Sequence, residues 1–277
     1  MHLNFRKSLF ILPNLFTLSS VFCGFYASLV AAQATSSHEL YRASLLIVFA
    51  LFFDIIDGRV ARLTRTQSAF GIQIDSLADL VSFGVAPAIL VHTWTLSVLG
   101  DVGLFAAFAF VATGAIRLAR FNVLSMRNDG SPTKPGKYIK GLPIPGAAGM
   151  LVSLVAADHA VSGHLSGSPR LVLVVVLLLS LFMVSSIPFR SFKDLRLNVR
   201  TFVLFTFALG SSLFLALTWH SAFALGWLLL SYMTIGVVEG TLLVGRRFRH
   251  HRAASVREQC DDDEAQAGDP DERSRLA

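Results

Sequence analysis

Residues 50–80 read ALFFDIIDGRVARLTRTQSAFGIQIDSLADL, and four aspartates, Asp54, Asp57, Asp75 and Asp79, interrupt its apolar segments. The apolar character continues on both sides: a run near 40–57 leads into the first pair, and a run near 71–95 holds the second. Such runs approach the roughly 20 residues that a helix needs to cross about 30 Å of hydrocarbon. Lipid offers no partner to backbone N–H and C=O groups, so the runs predict helices. The stretch therefore reads as a membrane hairpin with acids on both arms, and the fold class follows: an all-α, polytopic membrane helical bundle.

Further apolar runs lie near 9–32, 101–118, 143–160, 170–188, 201–219 and 222–244, giving about eight transmembrane helices. Composition agrees. Of 277 residues, 53% are hydrophobic and 15% charged, against roughly 25% charged in soluble domains. Such a chain cannot cover a soluble globule with polar groups, nor stay disordered over most of its length. Cys23 and Cys260 are its two cysteines, too few for a disulfide framework. Arg6, Lys7 and the small-residue segment Ala32-Gln33-Ala34 could suggest a signal peptide. The first apolar run, however, exceeds the roughly 7–15 residues of a signal core, so we read it as an uncleaved span.

Lys and Arg cluster at alternate connections. Arg6 and Lys7 precede the first span; Arg59, Arg62 and Arg65 follow the second; Arg117, Arg120, Arg127, Lys134, Lys137 and Lys140 follow the fourth. Arg190, Lys193, Arg196 and Arg200 follow the sixth, and Arg246, Arg247, Arg249 and Arg252 the last, while connections near 33–39, 97–101, 160–169 and 219–222 are almost bare. Cytoplasmic loops carry the positive excess, so both termini are expected in the cytoplasm. Residues 1–252 then form one integral-membrane domain. Residues 253–277, with Asp261-Asp262-Asp263-Glu264, Asp269, Asp271 and Glu272, read as an acidic, disordered cytoplasmic tail. The net charge of +6 suits anionic headgroups of membrane lipids. No basic surface interleaved with aromatics points to nucleic acid.

An intramembrane carboxylate costs at least about 2.5–3.5 kcal/mol at mid-bilayer, so four of them require compensation. Spacing gathers them: Asp54 and Asp57 are i,i+3, Asp75 and Asp79 i,i+4, and each pair shares one helix face. Two readings remain open on residue types alone. The acids hold a divalent cation, for which all-oxygen ligation favours Mg²⁺, Mn²⁺ or Ca²⁺, or they pair with Arg59, Arg62 and Arg65. Gly58, Ala61 and Gly71 allow close helix packing or close approach of a ligand.

Taken in order, Asp54-x2-Asp57-Gly58-x2-Ala61-Arg62-x8-Gly71-x3-Asp75-x3-Asp79 resembles, without gap or substitution, the signature of the CDP-alcohol phosphatidyltransferases. The resemblance implies a metal set of Asp54, Asp57, Asp75 and Asp79 holding two divalent ions, Mg²⁺ or Mn²⁺. It implies Asp79 as the general base, and a CDP-lipid site lined by Gly58, Ala61, Arg62 and Gly71. Pro13-Asn14-Leu15-Phe16-Thr17 resembles a family element near the nucleotide, which adds Asn14 and Thr17 to that site.

Three flanking segments, Arg117-Leu118-Ala119-Arg120-Phe121-Asn122, Gly141-Leu142-Pro143-Ile144-Pro145 and Pro188-Phe189-Arg190-Ser191-Phe192-Lys193-Asp194-Leu195, resemble the bacterial and archaeal phosphatidylserine synthase branch. That likeness implies CDP-diacylglycerol and L-serine as substrates, phosphatidylserine and CMP as products, a homodimer, and an active site on the cytoplasmic face of the inner membrane. Serine's carboxylate needs a cation, and arginine matches it bidentately. Arg120, Arg190 and Lys193 are the candidate contacts, with Asn122 for the ammonium; the basic residues also serve as topology markers.

The same chemistry with glycerol 3-phosphate, inositol phosphate or choline as acceptor is the nearest rival. A divalent-cation or proton-coupled transporter is a rival of another class. Transporters often show internal repeats, and the acidic hairpin has no second copy; Glu239 is the main further acid in a span. His92, His159, His164 and His220 lie near the bare connections and read as solvated polar residues, and Cys23 as an inert apolar one.

Overall fold

A computed structural model of the chain describes residues 5–64, 69–125, 138–161, 167–185 and 188–190, with short helical stretches between 210 and 234. Its helices are α1 (Phe5–Ala32), α2 (Ser37–Leu63), α3 (Ala69–Asp79), α4 (Ala86–Trp94), α5 (Asp101–Ser125), α6 (Ile144–Ala160) and α7 (Pro169–Val184). A π-helical segment, Leu80–Val85, joins α3 to α4, and a 3-10 turn, Leu96–Leu99, leads into α5. Strands β1 (Tyr138–Lys140) and β2 (Pro188–Arg190) pair antiparallel, with Ile139 opposite Phe189.

The chain is a membrane protein by this architecture. Asn14–Ala32, Phe70–Trp94 and Asp101–Leu124 are long and apolar enough to cross a bilayer, and Ile144–Ala160 and Pro169–Val184 are shorter apolar helices. Large apolar side chains such as Phe22, Phe49, Phe105 and Phe108 stand exposed around the bundle, as a lipid-facing surface requires. The spans expected at 9–32, 71–95, 101–118 and 143–160 overlap these helices; that at 40–57 overlaps α2, which is not one of them, and that at 170–188 overlaps α7, which ends at Val184 ahead of β2. Spans expected at 201–219 and 222–244 lie mostly outside the described residues, as do Glu239, Cys260, His164, His220 and the acidic tail.

α2 begins with a capping box. Ser36 Oγ accepts the Glu39 N–H at 3.3 Å, and Glu39 Oε2 accepts the Ser36 N–H at 3.2 Å and the Thr35 N–H at 2.7 Å. Those two backbone donors hold the Glu39 carboxyl below its ordinary range, and the reciprocal pattern satisfies orphan amides of the first turn. From there α1 and α2 pack antiparallel, with Ala27, Ala31, Ala43 and Ala50 buried; small residues let membrane helices approach closely. Hydroxyls tie the same seam to the π segment. Ser20 Oγ donates to the Ala50 carbonyl at 3.0 Å, and Ser82 Oγ to the Ser20 carbonyl at 3.0 Å. Gly24 is required here, because a Cβ would lie 2.6 Å from Ser82 Cα.

The end of the bundle away from the acids is closed by polar contacts. Trp94 Nε1 donates to Asp158 Oδ2 at 2.7 Å, and the His159 ring stacks on Tyr41 with centroids 4.7 Å apart. His159 Nδ1 also bonds Ser37 Oγ at 2.8 Å. Far from being a merely solvated residue, His159 therefore joins α6 to α2. Between the two ends lies an apolar core that includes Phe83, Leu90, Phe110, Ile144, Leu151 and Met183; Cys23 packs half-buried against it.

Three features were not expected from the sequence, of which only the last, the ribbon, is not helical. α2 does not stop near Asp57 but runs on to Leu63, since arginine and alanine are good helix formers and no proline intervenes. The π segment widens the register directly after Asp79, a device common at functional sites. The β1–β2 ribbon pairs two interspan connections, and Pro188 is the first residue of β2, a strand position that tolerates a missing N–H.

Candidate active site

Asp54 and Asp57 stand one turn apart on α2, Asp75 and Asp79 one turn apart on α3. Folding brings the two faces together: carboxylate oxygens of Asp54, Asp57 and Asp75 all lie within 4.8 Å of one another. Asp79 joins them through Asp54, the two carboxyls lying within hydrogen-bond reach. At 4.8 Å an ionised pair repels by about 3 kcal/mol at an effective dielectric near 20. Such a set folds in this geometry only with positive charge or shared protons among its members.

The surrounding groups supply part of that compensation. Thr17 on α1 donates its hydroxyl to Asp57 Oδ2 at 2.7 Å, a charge-assisted bond to a carboxylate only 4% exposed. Arg117 on α5, 7% exposed, interacts attractively with Asp79. Arg117 was expected as a topology marker and as the first residue of a branch-like segment, not as a partner of the acids. Its position inside the apolar run near 101–118 was the available signal, because an intramembrane cation usually faces a partner.

An all-carboxylate donor set of this size suits a hard divalent cation, and the three converging aspartates could hold one. Among the described residues, one cation acting on Asp79 is Arg117 of α5. The Arg62 side chain and Arg65 lie outside the described residues.

The remaining expected site residues separate into three groups. Asn14, Gly58, Ala61 and Gly71 are half-buried on the helices that carry the acids and Thr17. Asn122 is buried, and its amide is engaged at both ends: Nδ2 donates to Gln73 Oε1 at 3.0 Å, and Oδ1 accepts from Ser76 Oγ at 3.1 Å. Arg120 donates from Nη1 to the Val184 carbonyl at 2.9 Å and from Nη2 to the Ser185 carbonyl at 3.2 Å. Arg190 contributes to β2 by its backbone, while its side chain and all of Lys193 lie outside the described residues. Gln73 and Ser76 escaped the sequence reading, because neither residue type signals chemistry by itself.

Residues 10–183 match a family model described as CDP-alcohol phosphatidyltransferase. The chain is 40% identical over 196 residues to a CDP-diacylglycerol–serine O-phosphatidyltransferase of Helicobacter pylori, covering 71% of this chain and 78% of that one. Proteins of the same name from Methanocaldococcus jannaschii and Bacillus subtilis are 34% and 33% identical. The former comparison covers 70% of this chain and 82% of the relative, the latter 66% and 91%.

Proposed function

The chain belongs to the CDP-alcohol phosphatidyltransferase family, and from that premise we propose that it transfers the phosphatidyl group of CDP-diacylglycerol to the hydroxyl of L-serine, giving phosphatidylserine and CMP. The observation that carries the reading is the convergence of Asp54, Asp57 and Asp75 within 4.8 Å, with Asp79 beside them. Relatives named for the serine reaction support the choice of acceptor.

Asp54, Asp57 and Asp75, with Asp79 at the edge of the set, would hold divalent metal, as two ions of Mg²⁺ or Mn²⁺. When bound, the metal neutralises the diphosphate oxygens and the charge that develops on departing CMP. Thr17 fixes the rotamer of Asp57 by its 2.7 Å hydrogen bond, as a partner behind a ligating carboxylate does. Asn14, Gly58, Ala61, Arg62 and Gly71 line the CDP-lipid side, where small residues let the nucleotide approach the helix backbone. Asp79 accepts the serine hydroxyl proton as its oxygen attacks the lipid-side phosphorus, a contribution typically worth about 10²–10⁴-fold. Arg117 of α5 attracts that carboxylate. The bond formed is serine oxygen to phosphorus; the bond broken is phosphorus to the bridging oxygen, which leaves on CMP.

The acceptor side is contributed by Arg120, Asn122, Arg190 and Lys193. The alternation of basic and bare connections supports eight spans with both termini in the cytoplasm and an active site facing the cytoplasm at the inner membrane. The domain spans 1–252, the tail 253–277, and the working form is a homodimer, as the family resemblance implies.

The test is CMP release from CDP-diacylglycerol by the purified chain, with serine present, omitted, or replaced by glycerol 3-phosphate, inositol phosphate or choline, and with chelator. Serine-stimulated release that stops with EDTA is expected. Release stimulated instead by another alcohol would move the acceptor assignment, and release indifferent to EDTA would remove the metal role.

A further inference from the structure

A serine inside a helix can return its hydroxyl to the carbonyl four residues earlier, as Ser28 and Ser180 do at 2.9 and 2.8 Å. Ser82, fully buried in the π segment, bonds across helices instead: its Oγ donates to the Ser20 carbonyl of α1 at 3.0 Å. Gly24, one turn further along α1, meets the same residue. A Cβ there would lie 2.6 Å from Ser82 Cα, closer than two carbons can pack. So α1 holds Ser82 twice, once by a hydrogen bond and once by backbone contact.

Asp79 is the last residue of α3 before the π segment, three positions ahead of Ser82. Inside that segment the Ala86 N–H bonds the Val81 carbonyl, five residues back rather than four. An i→i+5 turn takes in one more residue than an α turn, and backbone hydrogen bonding alone does not fix which turn takes it. A wide turn placed earlier would include Asp79 and rotate it by up to about 100°, the angle that one residue subtends. Asp79 would leave the face it shares with Asp75. Asp75 itself, one turn upstream, and Asp54 and Asp57 on α2 would keep their places. The holding face of α1 also belongs to the site: Thr17, one turn before Ser20, donates to Asp57 Oδ2 at 2.7 Å, and residues at such spacings share a side of the helix.

We propose that Ser82 is a positioning residue for Asp79: anchored on Ser20 and Gly24 of α1, it pins the wide turn at 80–85 and keeps the Asp79 carboxyl on the acid face. This rests on the function proposed above, in which Asp79 accepts the serine hydroxyl proton. Without the anchor the wide turn shifts toward α3, and the base moves while the three converging aspartates stay.

The experiment measures CMP release by the full-length chain in lipid–detergent micelles for wild type, Ser82→Ala, Gly24→Ala and Ser20→Ala. Mn²⁺ binding without substrate is followed by electron paramagnetic resonance in each. Ser82→Ala removes the bond to α1, and Gly24→Ala pushes on the same residue from the other side. Ser20→Ala removes the hydroxyl that bonds Ala50 but keeps the backbone carbonyl that Ser82 uses. Expected is a fall of at least about tenfold in kcat for Ser82→Ala and Gly24→Ala, part of the 10²–10⁴-fold that a general base supplies. Both KM values and Mn²⁺ affinity should move less than about threefold, because a misplaced base lowers turnover and not binding. Ser20→Ala should stay within about threefold of wild type throughout. Should Gly24→Ala fail to accumulate, Ser82→Ala decides alone, since it deletes one oxygen and adds nothing.

A wild-type kcat in Ser82→Ala would overturn the proposal and leave the function standing. So would Mn²⁺ affinity falling together with kcat, which would mean that the whole acid set shifts. Equal losses in Ser20→Ala and Ser82→Ala would also overturn it, by making the polar seam as a whole responsible. A wild type without serine-stimulated CMP release would instead overturn the function itself, and the positioning role with it.

Discussion

The two ends of the bundle each bury acid, and they treat it in opposite ways. At one end Asp158, 4% exposed, takes the indole N–H of Trp94 at 2.7 Å and belongs to no converging acid cluster among the described residues. At the other end three carboxylates converge within 4.8 Å, a fourth adjoins them, and Thr17 and Arg117 supply compensation. A single acid with its own donor is a structural tie between helices. Several acids packed together repel, and a fold retains that arrangement where a cation joins it.

That contrast can be broken at its strongest point first. Asp79→Asn keeps shape and removes basicity, so kcat should fall about 10²–10⁴-fold with CDP-lipid binding largely kept; initial rates of CMP release decide it. A wild-type-like rate would take the base role from Asp79. Next, Asp57→Asn removes a member of the converging set. The Mn²⁺ concentration for half-maximal activity should rise beyond the roughly 100-fold that marks the upper range for supporting residues, and the CDP-diacylglycerol KM should rise with it. A change in kcat alone would speak against ligation.

Thr17→Val sits one step further out. Losing the hydrogen bond behind Asp57 should weaken metal affinity about tenfold to hundredfold, read as a shifted Mn²⁺ activation curve. Smallest in its effect on chemistry is the other end: Trp94→Phe removes the donor to Asp158 and should cost about 1–3 kcal/mol of stability while metal activation stays at the wild-type concentration. Thermal unfolding in detergent alongside that curve separates the two. A shifted curve in Trp94→Phe would erase the distinction between the ends.

Much of the acid end was legible in the sequence because helix periodicity is local. The i,i+3 and i,i+4 spacings of Asp54/Asp57 and Asp75/Asp79 put each pair on one face, and their apolar flanks placed them in lipid-spanning helices. The partners were not legible, because they come from distant segments. Thr17 is 40 residues from Asp57, Asn122 is 49 from Gln73, and Arg120 is 64 from Val184. Arg120 and Asn122 were singled out for chemistry, yet their described contacts are with protein groups, which residue type alone does not reveal. Nor does the sequence announce the π segment, which forms where Ser82 meets Gly24 and Ser20 at close range. The ribbon was hidden for the same reason: each strand has three residues, too few to show alternation.

The most direct test is Mn²⁺ binding to the purified chain, followed by electron paramagnetic resonance in the absence of substrate. Saturable binding that Asp57→Asn weakens strongly and Trp94→Phe leaves untouched is the expected result. No bound Mn²⁺ in the wild type, or the same binding in Asp57→Asn, would contradict the claim that this carboxylate cluster is a metal site.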